Sequence, residues 1–380
     1  MKFIHISDLH LGKRLNEFSM LEEQEAVLEQ ILSIVDAEAP DGVLVAGDVY
    51  DKSVPSAEAV TLFDGFLAAL AARRVQTFVI SGNHDSPERL AFGSRIMDAG
   101  GIHLSPVYDG RVTPITLRDE YGPVNVYLLP FVKPAHVRRF FEDEEIFSYH
   151  DAIRVAVQAM AINPDERNLL LTHQFVTGST PGGSEEVTVG GTDNVDASVF
   201  DGFDYVALGH IHGAQNCGSE RIRYCGTPLK YSFSEMNHQK SVTVVELFGK
   251  GKDVSIRTVD LRPIHDLREI RGAFCELSDP TRADLQAVRQ DYIRAILTDE
   301  DDVPDAMGRL RQVYPNLMCL QYDNKRTREQ ASIDGAVDAE TKTPFQLFAE
   351  FFELQNNAPM SDEQSAFMKD LMEKMGEDMV

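Results

Sequence analysis

Positive charge is in short supply in this sequence. It sets 36 basic residues against 61 acidic ones, a formal net charge of −25 over 380 residues. That balance excludes a surface coated with positive charge for non-specific grip on nucleic acid or membrane. A nuclease stays open, because metal ions bring positive charge to sites whose own ligands are acidic. Long apolar runs are missing as well. No stretch approaches the ~18 consecutive apolar residues of a membrane span, and the opening Met1-Lys2-Phe3-Ile4-His5 lacks the apolar core of a signal peptide. Both absences predict a cytoplasmic protein. Cysteine is scarce: Cys217, Cys225, Cys275 and Cys319, with no CxxC pair among them. Cys217 and Cys225 could face each other across a hairpin centred near Arg221, but a reducing cytosol favours two free thiols.

What remains is ordinary globular composition, 43% hydrophobic and 26% charged, in a chain longer than the ~100–200 residues of one average domain. Its first half alternates strand and helix signals. Strands are predicted at Phe3–Ile6, Gly42–Ala46, Val75–Ile80, Val124–Leu129, Leu169–Leu171 and Tyr205–Leu208, then as hairpins at Val242–Leu247 and Val254–Val259. Helices are predicted at Met20–Val35 and Ala57–Ala72. Such alternation argues for βαβ units and a layered α/β fold. From residue 263 the pattern changes to a small α+β unit ending near residue 323. Residues 324–343 are polar and read as a linker. Two amphipathic helices follow, Pro344–Leu354 and Ser361–Lys374.

Five segments place potential metal ligands just past a predicted strand: Ser7-Asp8-Leu9-His10, Gly47-Asp48-Val49-Tyr50-Asp51, Gly82-Asn83-His84-Asp85, Thr172-His173 and Gly209-His210-Ile211-His212. In extended backbone, alternate side chains share a face, so Asp8 with His10, or His210 with His212, can grip one ion. Ligands at the carboxyl ends of several strands converge where open α/β sheets bind. Carboxylates, imidazoles and one amide suit hard or borderline divalent ions such as Mn²⁺, and the absence of cysteine disfavours structural zinc. Asp8, His10, Asp48, Asn83, His173, His210 and His212 are more than one four-coordinate ion needs. With Asp48 bridging, they fit two ions ~3.5–4 Å apart.

The five segments resemble the calcineurin-like metallophosphoesterase superfamily, whose pattern is D-x-H, G-D-x-x-D, G-N-H-[DE], a lone H, and G-H-x-H. Three longer stretches, Ser7 to Lys13, Ser81 to Leu90 and Tyr224 to Ser232, resemble its SbcD branch of nuclease subunits. The resemblance implies a sandwich of two mixed sheets flanked by helices over residues 1–262, a small α+β cap over 263–323, the linker, and partner-binding helices over 344–380. It implies Asp8, His10, Asp48 and His212 on one metal and Asp48, Asn83, His173 and His210 on the other, with Mn²⁺ preferred. His84 would approach the scissile phosphate, stabilising the transition state or protonating the leaving oxygen, and Asp85 would orient His84. It further implies a homodimer formed through helices of the catalytic domain, and an SMC-like ATPase partner of the SbcC type.

Among basic residues near the motifs (Lys13, Arg14, Lys52, Arg89 and Lys230), Arg14 and Arg89 are the best placed to contact DNA phosphates, since each follows a metal segment closely. Tyr231 and Phe233 read as core packing. Phe345, Leu347, Phe348, Phe351, Phe352 and Leu354, then Phe367, Met368, Leu371, Met372 and Met375, give the terminal helices an apolar face that a partner's groove would cover. Three functions compete: a DNA nuclease, a phosphatase or small-molecule phosphodiesterase using the same chemistry, and a non-catalytic scaffold. The unit after residue 263 and the terminal helices favour the nuclease, and an intact ligand set with His84 argues against the scaffold.

Overall fold

The computed structural model describes residues 1–180, 194–327, 344–356 and 359–377. It divides into two compact units, Met1–Leu267 and Arg268–Val380.

The first unit holds two six-stranded sheets. One contains β1 (Lys2–Ile6), β2 (Gly42–Ala46), β3 (Gln76–Ile80) and β4 (Ile102–Leu104); the other contains β5 (Ile115–Asp119), β6 (Gly122–Leu129), β7 (Arg167–His173), β8 (Tyr205–Gly209), β9 (Gln215–Cys217) and β10 (Ser219–Tyr224). Strands β11 (Ser241–Glu246) and β12 (Ser255–Asp260) return to the first sheet, giving the orders β12-β11-β1-β2-β3-β4 and β9-β10-β8-β7-β6-β5. The first sheet is parallel from β1 to β4 and antiparallel at its β11–β12 edge; the second is parallel across β6, β7, β8 and β10 with antiparallel pairs at both edges. Phe3, Leu44 and Phe78 of one sheet pack on Val126, Leu169 and Tyr205 of the other. Strands buried on both faces explain the continuous apolar runs in the sequence.

Helices cover the outer faces. Helix α1 (Leu21–Glu38) buries Val27, Leu28, Ile31 and Val35, and ends on Ala39 in the left-handed region. In α2 (Ala57–Ala72) the Ser56 hydroxyl accepts from the Ala59 N–H, a standard N-cap, and Phe63, Phe66 and Leu70 are buried. Helix α3 (Tyr149–Gln158) is not among the helices predicted above, although its apolar residues recur at helical spacing. Its start is signalled by a Ser148–Asp151 capping box, and it packs Ile153 and Ala156 against Leu170 and Val206 of β7 and β8.

Cys217 and Cys225 are free and buried. Their hairpin turns at Gly218, whose φ of +70° glycine tolerates, and not near Arg221. Cys217 therefore pairs with Ser219, while Cys225 lies beyond the ladder. Tyr231 and Phe233 are both buried.

The second unit contains the three-stranded sheet β13 (Leu267–Gly272), β14 (Tyr292–Leu297) and β15 (Leu317–Tyr322), with β14 and β15 parallel. Its core gathers Ile270, Phe274, Ile293, Leu310, Tyr314 and Leu317. It also holds α4 (Pro344–Asn356) and α5 (Asp362–Glu377). Residues 328–343 of the linker lie outside the described residues. Among the described residues no helix is long and apolar enough to cross a membrane.

Candidate metal centre

Parallel strands end in register, so the loops that follow them meet at one edge of the sandwich. β1 delivers Asp8 and His10, β2 delivers Asp48, β3 delivers Asn83 and His84, β7 ends on His173, and His210 and His212 follow β8. The first two loops are zipped together, with Asp8 N–H donating to Gly47 O at 3.0 Å and His10 N–H to Asp48 O at 2.9 Å. Asp8, His10, Asp48 and His210 all have positive φ, at 54°, 44°, 47° and 102°. Non-glycine residues rarely adopt this region, and runs of such strain belong at functional sites. Glycine makes the close approaches possible: a Cβ at Gly82 would collide with the Asp48 carboxylate, and one at Gly209 with the Ala46 carbonyl.

The donor atoms form three overlapping clusters. Ligating atoms of Asp8, His10 and His212 lie within 4.8 Å of one another, as do those of Asp8, Asp48 and His173 and those of His10, Asp48 and His84. The Nε2 atoms of His10 and His212 face each other at 3.3 Å. On the other side, Asn83 Oδ1 lies 3.0 Å from His173 Nε2 and 3.1 Å from His210 Nδ1, and His173 Nε2 lies 3.3 Å from Asp48 Oδ2. All seven residues expected as ligands thus converge, and all are buried except the half-buried Asn83.

Two of the imidazoles are already oriented. His173 Nδ1 lies 2.8 Å from the Ala46 carbonyl oxygen, and His212 Nδ1 lies 3.3 Å from Glu235 Oε1. An oxygen beside Nδ1 favours the tautomer that keeps the proton there and turns Nε2 to the centre, the arrangement that metal-bound histidines use. The buried Nδ1 of His10 has no hydrogen-bond partner.

Electrostatics point to the same need. Burial pushes the Asp8 carboxyl up and the His10 imidazole well down. Burial also opposes ionisation of Asp48, yet the His173 charge holds that carboxyl below the usual range. His173 is raised in turn to about 9, where the Asp48 carboxylate overrides burial. A buried set of lone pairs and carboxylates fits divalent cations on these grounds.

The likeness to known proteins follows the same division. The calcineurin-like phosphoesterase model matches residues 1–214, and the Type 5 capsule protein repressor C-terminal domain matches residues 263–356. The SbcD component of the nuclease SbcCD from Staphylococcus epidermidis is 32% identical over 324 residues, covering 84% of this chain and 85% of that one. The chain is a calcineurin-like phosphoesterase of the SbcD family. Among solved structures, a Thermus thermophilus protein, TT1561, aligns over 69% of this chain and 99% of its own at 14% identity, with a TM-score of 0.41. A dimetal phosphatase from Danio rerio aligns over 68% and 98% at 12% identity, with a TM-score of 0.38.

In this phosphoesterase His84 stands at the rim, its side chain 25% exposed and its Nε2 3.9 Å from Asp48 Oδ2. Asp85 does not orient it, contrary to what the resemblance implies. The Asp85 carboxylate instead accepts three backbone N–H groups, from Val49 at 3.1 Å, Tyr50 at 2.9 Å and Gly82 at 2.9 Å. Burial and the Asp48 charge raise its carboxyl to about 6, against the pull of those three bonds. The group that orients His84 is the Asp51 main-chain carbonyl, 3.1 Å from Nδ1, helped by His84 N–H donating to Asp48 Oδ1 at 2.9 Å. Asp85 is a positioning residue that staples the β2 and β3 loops together.

Of the basic residues, Lys13 is tied to Asp51 at 2.7 Å and Lys230 to Asp266 at 2.7 Å. Arg14 bonds the Glu17 carbonyl and is exposed, as is Arg89. Sequence reasoning missed Gln24, whose amide donates to His10 O at 2.7 Å and accepts from Gly12 N–H at 3.0 Å, holding the first loop to α1. It also missed the buried pair Glu235 and Lys240, 2.6 Å apart behind His212. Neither belongs to a ligand motif, so no spacing signalled them.

Proposed function

We propose that this protein is a metal-dependent DNA nuclease, cutting double-stranded DNA from its ends and single strands or hairpins internally, in concert with an SbcC-type SMC-like ATPase in DNA repair. The observation that carries the reading is the convergence of seven candidate ligands and His84 on one edge of a phosphoesterase sandwich, in a chain 32% identical to an SbcCD nuclease component.

Asp8, His10, Asp48 and His212 would hold one divalent ion and Asp48, Asn83, His173 and His210 the other, with Mn²⁺ the preferred metal. When bound, such ions neutralise the phosphodiester and lower the pKa of water, supplying a nucleophile near neutral pH. The chain's own residues do the rest. Asp48 presents Oδ2 between the two ligand groups, with its Oδ1 pinned by His84 N–H. His84 donates Nδ1–H to the Asp51 carbonyl, which leaves Nε2 as the atom that exchanges a proton with the leaving sugar oxygen. General acid help of this kind is typically worth ~10²–10⁴-fold.

Residues 1–262 form the nuclease domain in this reading, 263–323 a capping domain and 344–380 the helices that bind the ATPase. The exposed Phe351, Phe367 and Leu371 support the last assignment. Phe92 and Ile96, each 83% exposed just beyond the His84 loop, support a homodimer formed there. Arg14 and Arg89 are the DNA contacts proposed. The test is cleavage of linear duplex and hairpin DNA in Mn²⁺, with and without the ATPase, beside a generic phosphodiester dye. DNA cleavage supports the nuclease. Dye hydrolysis with no DNA cleavage, ATPase included, replaces it with a small-molecule phosphodiesterase.

A further inference from the structure

A buried ion pair stands behind His212 at the metal centre. Glu235, in the short 3₁₀ turn Phe233–Glu235, is fully buried, and Lys240, just before β11, is 6% exposed. Glu235 Oε1 faces His212 Nδ1 at 3.3 Å, while its Oε2 accepts from Lys240 Nζ at 2.6 Å. Lys240 also donates to the His212 main-chain oxygen at 2.9 Å and to Thr227 Oγ1 at 2.6 Å. The pair thus grips both the ring and the backbone of one ligand. The opposite ligand, His173, leans on a neutral backbone carbonyl, Ala46 O.

A buried ion pair is a weak stabiliser in itself, because desolvation offsets most of the Coulomb attraction. Behind a metal-binding imidazole it has another effect. A carboxylate on Nδ1–H fixes the tautomer and makes Nε2 a stronger donor than a carbonyl does. Lys240 holds that carboxylate against the ring through its 2.6 Å ion pair.

We propose that Glu235, braced by Lys240, is the positioning residue for one of the two metal ions only, the one that His212 binds. The two sites are then unequal. This rests on the two-ion reading above, and the wild-type arm of the experiment tests that reading separately.

The experiment is Mn²⁺ titration of the full chain, followed by calorimetry and by electron paramagnetic resonance, for wild type, Glu235→Gln and Glu235→Leu/Lys240→Met. The double variant removes both buried charges together, and thermal melting checks that each variant folds. Wild type is expected to bind two ions with the spectrum of a spin-coupled pair. The double variant is expected to keep one tight ion with the hyperfine pattern of isolated Mn²⁺, the second being weakened by roughly 10–100-fold. Glu235→Gln should show a smaller shift in the same direction, since the amide oxygen keeps the tautomer without the charge. Two ions at wild-type affinity in a folded double variant would overturn the inference, as would equal weakening of both. Fewer than two ions in wild type would overturn the two-ion reading itself.

Discussion

The Nδ1 of His84 lies 3.1 Å from the main-chain oxygen of Asp51 and makes no hydrogen bond to its sequence neighbour Asp85. Two residues expected to act as one unit therefore have separable tasks. Asp85→Ala frees three backbone N–H groups that now bond a carboxylate, each worth roughly 1.5–3 kcal/mol. It is expected to lower the melting temperature, metal content and cleavage together. A variant with normal melting and metal content, but lost cleavage, would return Asp85 to a direct catalytic part.

The second prediction concerns the metal and the fold. Asp8 and Asp48 are buried together, and cations that neutralise them bind the folded chain alone. Saturation at 100 times the dissociation constant adds about 2.7 kcal/mol per site, so Mn²⁺ should raise the melting temperature and a chelator should reverse it. Asp48→Asn should lose most of this shift. Mg²⁺, Zn²⁺ and Mn²⁺ run side by side would rank the metals.

A third prediction lies far from the centre. Arg167, 2% exposed on β7, bonds both oxygens of Asp119 and the Gly122 carbonyl. The Arg167 guanidinium holds the Asp119 carboxyl well below its usual range. A depressed folded-state pKa contributes stability that is present above the unfolded value of about 3.9 and lost as pH falls toward the folded one. Asp119→Asn should cost roughly 2 kcal/mol at neutral pH, and the gap to wild type should close below about pH 4. Denaturant melts across that range would measure it; a gap independent of pH would remove the ion pair as its cause.

The fourth prediction separates chemistry from assembly. Phe351 and Phe367 are 58% and 66% exposed on α4 and α5. Phe351→Asp/Phe367→Asp should leave hydrolysis of a phosphodiester dye unchanged and abolish co-purification of the ATPase. Retained binding would move the interface elsewhere.

Much of this was legible in the sequence because strands buried on both faces write themselves as Val, Ile and Leu runs, and the ligands stand at their ends. Gly42–Ala46 and Ala57–Ala72 are observed at the bounds their patterns predict. What was not legible depends on the chain returning from a distance. Glu235 reaches His212 across 23 residues and Lys240 reaches it across 28, through contacts no local pattern carries. Asp85 differs for another reason: the resemblance assigns its carboxylate to His84, but that carboxylate accepts from the Val49, Tyr50 and Gly82 N–H groups. Cys217 and Cys225 misled through register, since the turn falls at Gly218.

The central claim is that His84 works on the reacting phosphate while the seven other residues hold metal. The most direct test measures bound Mn²⁺ and DNA cleavage on the same preparations of wild type and His84→Ala. Unchanged metal with cleavage reduced by ~10²–10⁴-fold is the predicted result. Metal lost along with cleavage would make His84 a ligand, and cleavage undiminished would remove it from the chemistry altogether.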